Sequence, residues 1–231
     1  MKRSFINNEF YHVFDRGVDK REIYLDKSDY LRFVHDLYEF NDSNPAKDFS
    51  YRYKNKGNLV SQFGDKRDTI VNIHAFVLMP NHHHLLLEQV EDNGVSLFMS
   101  KLHGGYSRAF NLKYKRTGHL FQGPFKAIHI KDDIHLGFLI CYLHCNPLDI
   151  WRSNWRDKQL TDFDIKEALR FLEKYRWSSH LDYSGIRNFP SVIDKKFLLE
   201  FFDGTEGYNN FFIDWLKQYK KNTNHLKEVI F

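Results

Sequence analysis

The 231 residues are 42% hydrophobic and 28% charged, and the net charge is +4. That balance suits one well-buried domain with an appendage, or two small domains, and the lack of Ser-, Gly- or Pro-rich tracts argues against long disorder. No apolar run has the length of a membrane span, the first residues lack the apolar core of a signal peptide, and Cys141 and Cys145 are too few for a disulfide framework. A cytoplasmic protein is the expectation, with both cysteines as small buried side chains.

Along the chain, 11–14 reads as a short strand closed by Asp15-Arg16-Gly17. Ser28 can cap a helix running to about Phe40, with Leu31, Val34, Leu37 and Tyr38 on one face. Residues 41–66 are polar and carry Pro45, Gly57 and Gly64, so they read as an inserted loop or arm. Strands are expected at 69–79 and 82–90, then a helix over 96–112 whose middle is weakened by Gly104-Gly105. A strand over 125–130 follows, and Asp132 or Asp133 caps an apolar helix that ends at Asn146-Pro147. The order β-α-β-β-α-β predicts an α+β, ferredoxin-like antiparallel sheet with helices on one face, a further helix after the last strand, and the third strand central. Helical pattern alone continues at 163–172, 195–202 and 208–220. The expected division is therefore a domain over 1–155 and a helical C-terminal extension over 156–231.

Side chains alternate faces along a strand, so His82 and His84 project together while His83 points with Leu85 and Leu87 to the other face. Two imidazoles on one face make half of a divalent-metal site. A slip of one residue would instead aim only His83 at the site. Tyr142 and Asn146 are four apart and share a helix face, which can set a phenol beside a metal whose ligand set the Asn carbonyl oxygen completes. Amide oxygen with two imidazoles suits Mg²⁺ or Mn²⁺ about as well as zinc. His144 lies about 200° around the helix from Tyr142, which points to structural hydrogen bonding. A zinc hydrolase is disfavoured, because no helical HExxH arrangement supplies a general base.

Charge distribution says more than net charge. No acidic residue occurs between Asp92 and Asp132, a stretch holding Lys101, Arg108, Lys113, Lys115, Arg116, Lys126 and Lys131, interleaved with Tyr106, Phe110, Tyr114, Phe121 and Phe125. Cations with aromatics suit a single-stranded or distorted nucleic acid, which offers phosphates and stackable bases. Arg108, Lys113, Lys115, Arg116 and Lys126 are the expected DNA contacts.

Three segments then carry a resemblance: His74 to Leu87 with its Pro80-Asn81-His82-His83-His84 core, Gly118 to Lys126, and Tyr142-Leu143-His144-Cys145-Asn146-Pro147. With Tyr11 to Gly17 and Tyr175 to His180, they resemble the HUH single-strand tyrosine transposases, nearest the REP-associated tyrosine transposase branch, over about 10–185. The resemblance implies His82 and His84 as the metal-binding pair, Asn146 as the helix-borne third ligand, and Tyr142 as nucleophile. It implies Mg²⁺ or Mn²⁺, single-stranded or hairpin DNA as substrate, and cleavage through a 5′-phosphotyrosine. A homodimer is among the assemblies it allows. The residue between the paired histidines is usually apolar or aromatic in that family and is His83 here. The competing expectation is a domesticated module that holds hairpin nucleic acid without cutting it.

Overall fold

A computed structural model describes residues 4–44 and 68–219. Its sheet contains β1 (Phe10–Arg16), β2 (Val71–Met79), β3 (His82–Gln89) and β4 (Lys126–Ile130) in the order β2-β3-β1-β4, each neighbouring pair antiparallel. Helix α1 (Lys27–Glu39) joins β1 to β2, α2 (Gly94–Lys113) joins β3 to β4, and α3 (Asp133–Cys145) follows β4. This is the β-α-β-β-α-β order expected from the pattern, with β3 held between β1 and β2.

Register decides the two faces. His83, Leu85 and Leu87 lie opposite Asp15, Val13 and Tyr11 of β1, while His82, His84 and Leu86 lie opposite Arg16, Phe14 and His12. The crossover helices share the first face: His83 meets Phe33 of α1 and His103 of α2, with ring centroids 5.0 and 5.2 Å apart. α3 covers the second face, where Tyr142 meets His84. The far side of α3 is covered in turn by α8 (Gly204–Lys217), the last of five α-helices that follow it among the described residues; the others are α4 (Leu148–Trp151), α5 (Asp162–Leu172), α6 (His180–Tyr183) and α7 (Lys196–Phe201). A helix covered on both sides is apolar all round, and α3 buries Leu136, Leu139, Ile140, Cys141, Leu143 and Cys145. The described part of 156–231 thus packs directly on α3. Among the described residues no helix is long and apolar enough to cross a membrane.

Two local expectations about α1 are corrected. The cap of α1 is Asp26, not Ser28, because its carboxylate accepts from the Ser28 and Asp29 backbone N–H groups while Asp29 reciprocates. On that helix Leu31 is exposed, and Phe33 joins Val34, Leu37 and Tyr38 in the core. Of the expected arm over 41–66, residues 45–66 lie outside the described residues. Its base is held by Asn41, whose side chain accepts from the N–H groups of Ile70 and Val71 and donates to the Val71 carbonyl at 2.8 Å. One of the paired glycines of α2 also finds a use. A Cβ on Gly105 would lie 2.3 Å from Phe40 Cζ, so glycine lets the Phe40 ring, just past the end of α1, close onto α2.

Candidate active site

His82 and His84 leave the central strand on the α3 face, with ring centroids 5.1 Å apart. Each imidazole has one nitrogen engaged. His82 Nδ1 lies 2.6 Å from Asn81 Oδ1, and His84 Nδ1 lies 2.8 Å from His12 Nε2 of β1. Phe14 stacks on both the His12 and His84 rings, at 4.7 and 5.5 Å. Burial, opposed by Asp149 and reinforced by Arg16 and Arg156, pushes His82 down to about 4. Burial, with His12 nearby, holds His84 well below the usual histidine range. Both rings are therefore neutral at physiological pH, the state in which imidazole binds a metal.

Opposite them stands Tyr142 on α3, its ring edge-on to His84 at 5.8 Å and to His12 at 6.4 Å. Burial raises the phenol, and the Arg156 guanidinium above the ring opposes that shift. One turn on, buried Asn146 donates from Nδ2 to the Tyr142 carbonyl at 3.0 Å. That bond caps α3 and leaves the amide Oδ1 as an acceptor. Among the described residues no group of three or more His, Cys, Asp or Glu side chains forms a metal cluster. The donor set on this face is two neutral imidazoles with their second nitrogens held, plus an amide oxygen one helical turn beyond the phenol. Held second nitrogens are the usual support of a ligating histidine. The residues fit a divalent ion.

The site opens into a cleft of ≈ 700 Å³ lined by His82, His84, Tyr142, Phe14, Arg16, Lys20, Gln122 and Lys126, among others. Arg16 Nε bonds the Gln122 side chain across it. Of the five expected DNA contacts, the fold brings Lys126 to this cleft. Lys113 lies on α2, over the other face of the sheet, and is ion-paired to Asp26 and to buried Asp29 at 2.8 and 2.7 Å. Arg116 bonds Asn111 at 2.8 Å and covers the Phe110 ring. Arg108 and Lys115 are exposed. Three of the interleaved aromatics, Tyr106, Phe110 and Phe121, are core residues rather than stacking surfaces, because the inner stripe of α2 and the chain after it pack on the sheet, whereas Tyr114 and Phe125 are half-buried.

His83 sits on the opposite face, 3.4 Å from His103 through the two Nε2 atoms, so the strand is in the register that pairs His82 with His84. His144 is buried with Nδ1 on the Tyr208 hydroxyl at 2.7 Å and Nε2 on Ser179 Oγ at 2.8 Å. Sequence reasoning missed His12, Phe14 and Arg16, although their alternation on β1 is the same signal that paired His82 and His84. It also missed Asp149 and Arg156, whose approach to Tyr142 depends on how the chain folds back after α3.

Residues 58–146 match the model of the family described as IS200-like transposases, a span that includes His82, His84, Tyr142 and Asn146. No curated protein matches the chain. Among solved structures, that of a REP-associated tyrosine transposase bound to a REP hairpin is similar in fold. Its TM-score is 0.51 at 14% identity, and the alignment covers 82% of this chain and 88% of that one.

Proposed function

We propose that this chain, whose match to the IS200-like transposase model includes His82, His84, Tyr142 and Asn146, is a transposase-type endonuclease and strand transferase acting on single-stranded, hairpin-forming DNA. The observation that carries the reading is the meeting of His82 and His84 with Tyr142 across one cleft, from a central strand and the helix facing it. The solved structure of similar fold holds a hairpin, which supports the same class of partner here. Tyr142 Oη attacks the scissile phosphorus and forms a phosphotyrosine on the 5′ side. The bond from phosphorus to the 3′ oxygen breaks, and that oxygen leaves as a 3′-hydroxyl after taking up a proton. Because the ester energy is kept in the phosphotyrosine, the reverse attack by a 3′-hydroxyl joins strands without a nucleotide cofactor. His82, His84 and the Asn146 amide oxygen would hold Mg²⁺ or Mn²⁺, which supplies Lewis-acid polarisation of the phosphate. Lys126, Arg16 and Lys20 give the cleft positive charge for the strand. On this reading residues 1–155 form the catalytic unit, and the extension over 156–231 borders the site from its first residue.

The test is incubation with end-labelled single-stranded hairpin DNA and Mn²⁺, followed by denaturing electrophoresis. A denaturation-resistant adduct with wild-type protein, lost in Tyr142→Phe while DNA binding persists, is the expected result. Binding without any adduct would make the chain a hairpin-binding module instead. An adduct that survives in Tyr142→Phe would move the nucleophile elsewhere.

A further inference from the structure

Arg156 is held through three of the five N–H groups of its guanidinium. Nε and Nη2 form a fork onto the Asp149 carboxylate, with contacts of 2.9 and 3.1 Å, and Nη1 donates to the Tyr219 hydroxyl at 2.7 Å. Asp149 is fixed in turn by the Trp155 indole N–H at 2.7 Å. The guanidinium carbon lies 4.7 Å from the Trp155 ring centroid and 5.4 Å from that of Tyr142. Tyr142 therefore packs perpendicular to the His84 and His12 rings and also has a clamped cation over its own ring. With three of its N–H groups committed and its charge matched by Asp149, Arg156 is poorly equipped to hold a DNA phosphate and well placed to hold a ring.

We propose that Arg156, locked by Asp149 and Tyr219, is the positioning residue for the Tyr142 nucleophile; the proposal rests on the transesterification reading above. A tyrosine that must lie in line with a phosphorus needs its ring held within a fraction of an ångström, and a misplacement of about 1 Å can cost on the order of 10²-fold in rate. Packing against the histidine rings is one restraint on the Tyr142 ring. The cation–π contact is a second, and the Asp149 fork sets the plane of the cation. Lysine cannot reproduce that fork.

The test measures single-turnover adduct formation, DNA affinity, melting temperature and the ring signals of selectively labelled tyrosine, for wild type, Arg156→Ala, Arg156→Lys and Asp149→Asn. Arg156→Ala should slow adduct formation by about 10²-fold with affinity within twofold of wild type and a shifted Tyr142 ring signal. Arg156→Lys should recover little of that rate, and Asp149→Asn should fall between it and wild type. Full recovery with lysine would overturn the positioning role in favour of charge alone. Rates within twofold of wild type in folded Arg156→Ala would overturn it in favour of a structural tie. If wild-type protein forms no adduct, the transesterification reading fails, and the ring signal decides: a Tyr142 signal that moves in Arg156→Ala upholds the clamp, and an unchanged one overturns it.

Discussion

Adjacent glycines in α2 should respond to the same substitution with opposite effect. Gly104 is exposed in the helix interior, and a Cβ there would meet nothing within 4 Å. Gly104→Ala therefore removes only the backbone-entropy cost of glycine, a gain of about 1 kcal/mol. For a chain of this size that raises the melting temperature by about 2–4 °C. Gly105→Ala has the same intrinsic gain, but its Cβ would lie 2.3 and 2.4 Å from Phe40 Cζ and Cε2, so the ring must move. Overpacking of this kind costs about 1–3 kcal/mol. Phe40 is only partly buried and can swing outward, which places the cost toward the low end of that range. The net effect for Gly105→Ala is then roughly zero to 1 kcal/mol of destabilisation, and the two variants should differ in melting temperature by several degrees. Thermal melts by circular dichroism measure both. Adding Phe40→Ala should remove the penalty of Gly105→Ala, since the two side chains are in contact. Equal rises in the two single variants would refute the close approach of Phe40 to Gly105 and the packing of α1 on α2 that it implies.

Lys126→Ala should weaken binding of unrelated single strands and lower the salt slope by about 0.7, whereas Lys113→Ala should leave affinity and slope unchanged and lower stability by loosening its tie to buried Asp29; salt-dependent binding curves and denaturant melts of the two variants separate these roles. Alanine at His82 or His84 should abolish Mn²⁺-dependent adduct formation while His83→Ala, on the other face of β3, keeps most of it, and the reverse ranking would contradict the register. Burial lowers His103 to about 3 and His180 to about 4. The unfolded chain takes up these protons near 6.5 and the folded chain does not, so stability is full above 6.5 and is lost as pH falls toward 4, by on the order of 1 kcal/mol per pH unit for each histidine. Buried Asp36, raised to about 7, works in the opposite direction and offsets part of this. Urea midpoints should fall from pH 7 to pH 5, and a flat profile would show that these histidines are not buried neutral. Tyr208→Phe removes the hydroxyl shared by His144 and His180 and should cost about 1–3 kcal/mol in the same melts.

The elements of the sheet and their order were legible because each rests on a local period. Alternation paired His82 with His84 and separated His83, and the four-residue spacing of Tyr142 and Asn146 put them on one face of α3. These relations lie within single segments, so neighbouring residues suffice to state them. His12 reaches His84 only because β1 pairs with β3 in one register, and β1 stands 72 residues away along the chain. The basic, aromatic stretch shows the limit most plainly. Its composition suggested one nucleic-acid surface, yet Lys113 is spent on Asp26 and Asp29, Tyr106 and Phe121 are spent on the core, and Lys126 alone of the five cations lines the cleft. A count of charges and rings does not say which helix will face them, and that is settled by packing. Arg156 belongs to the same class: nothing near it in sequence marks it, and only the turn of the chain after Asn146-Pro147 lays its guanidinium over Tyr142. The sequence by itself therefore determined the strands, the longer helices and the pairs of side chains that each presents, but not the short helices Leu148–Trp151 and His180–Tyr183. Tertiary structure alone decided which pairs meet and which charges remain for a ligand, because ion pairing, burial and ring packing act between segments far apart in the chain.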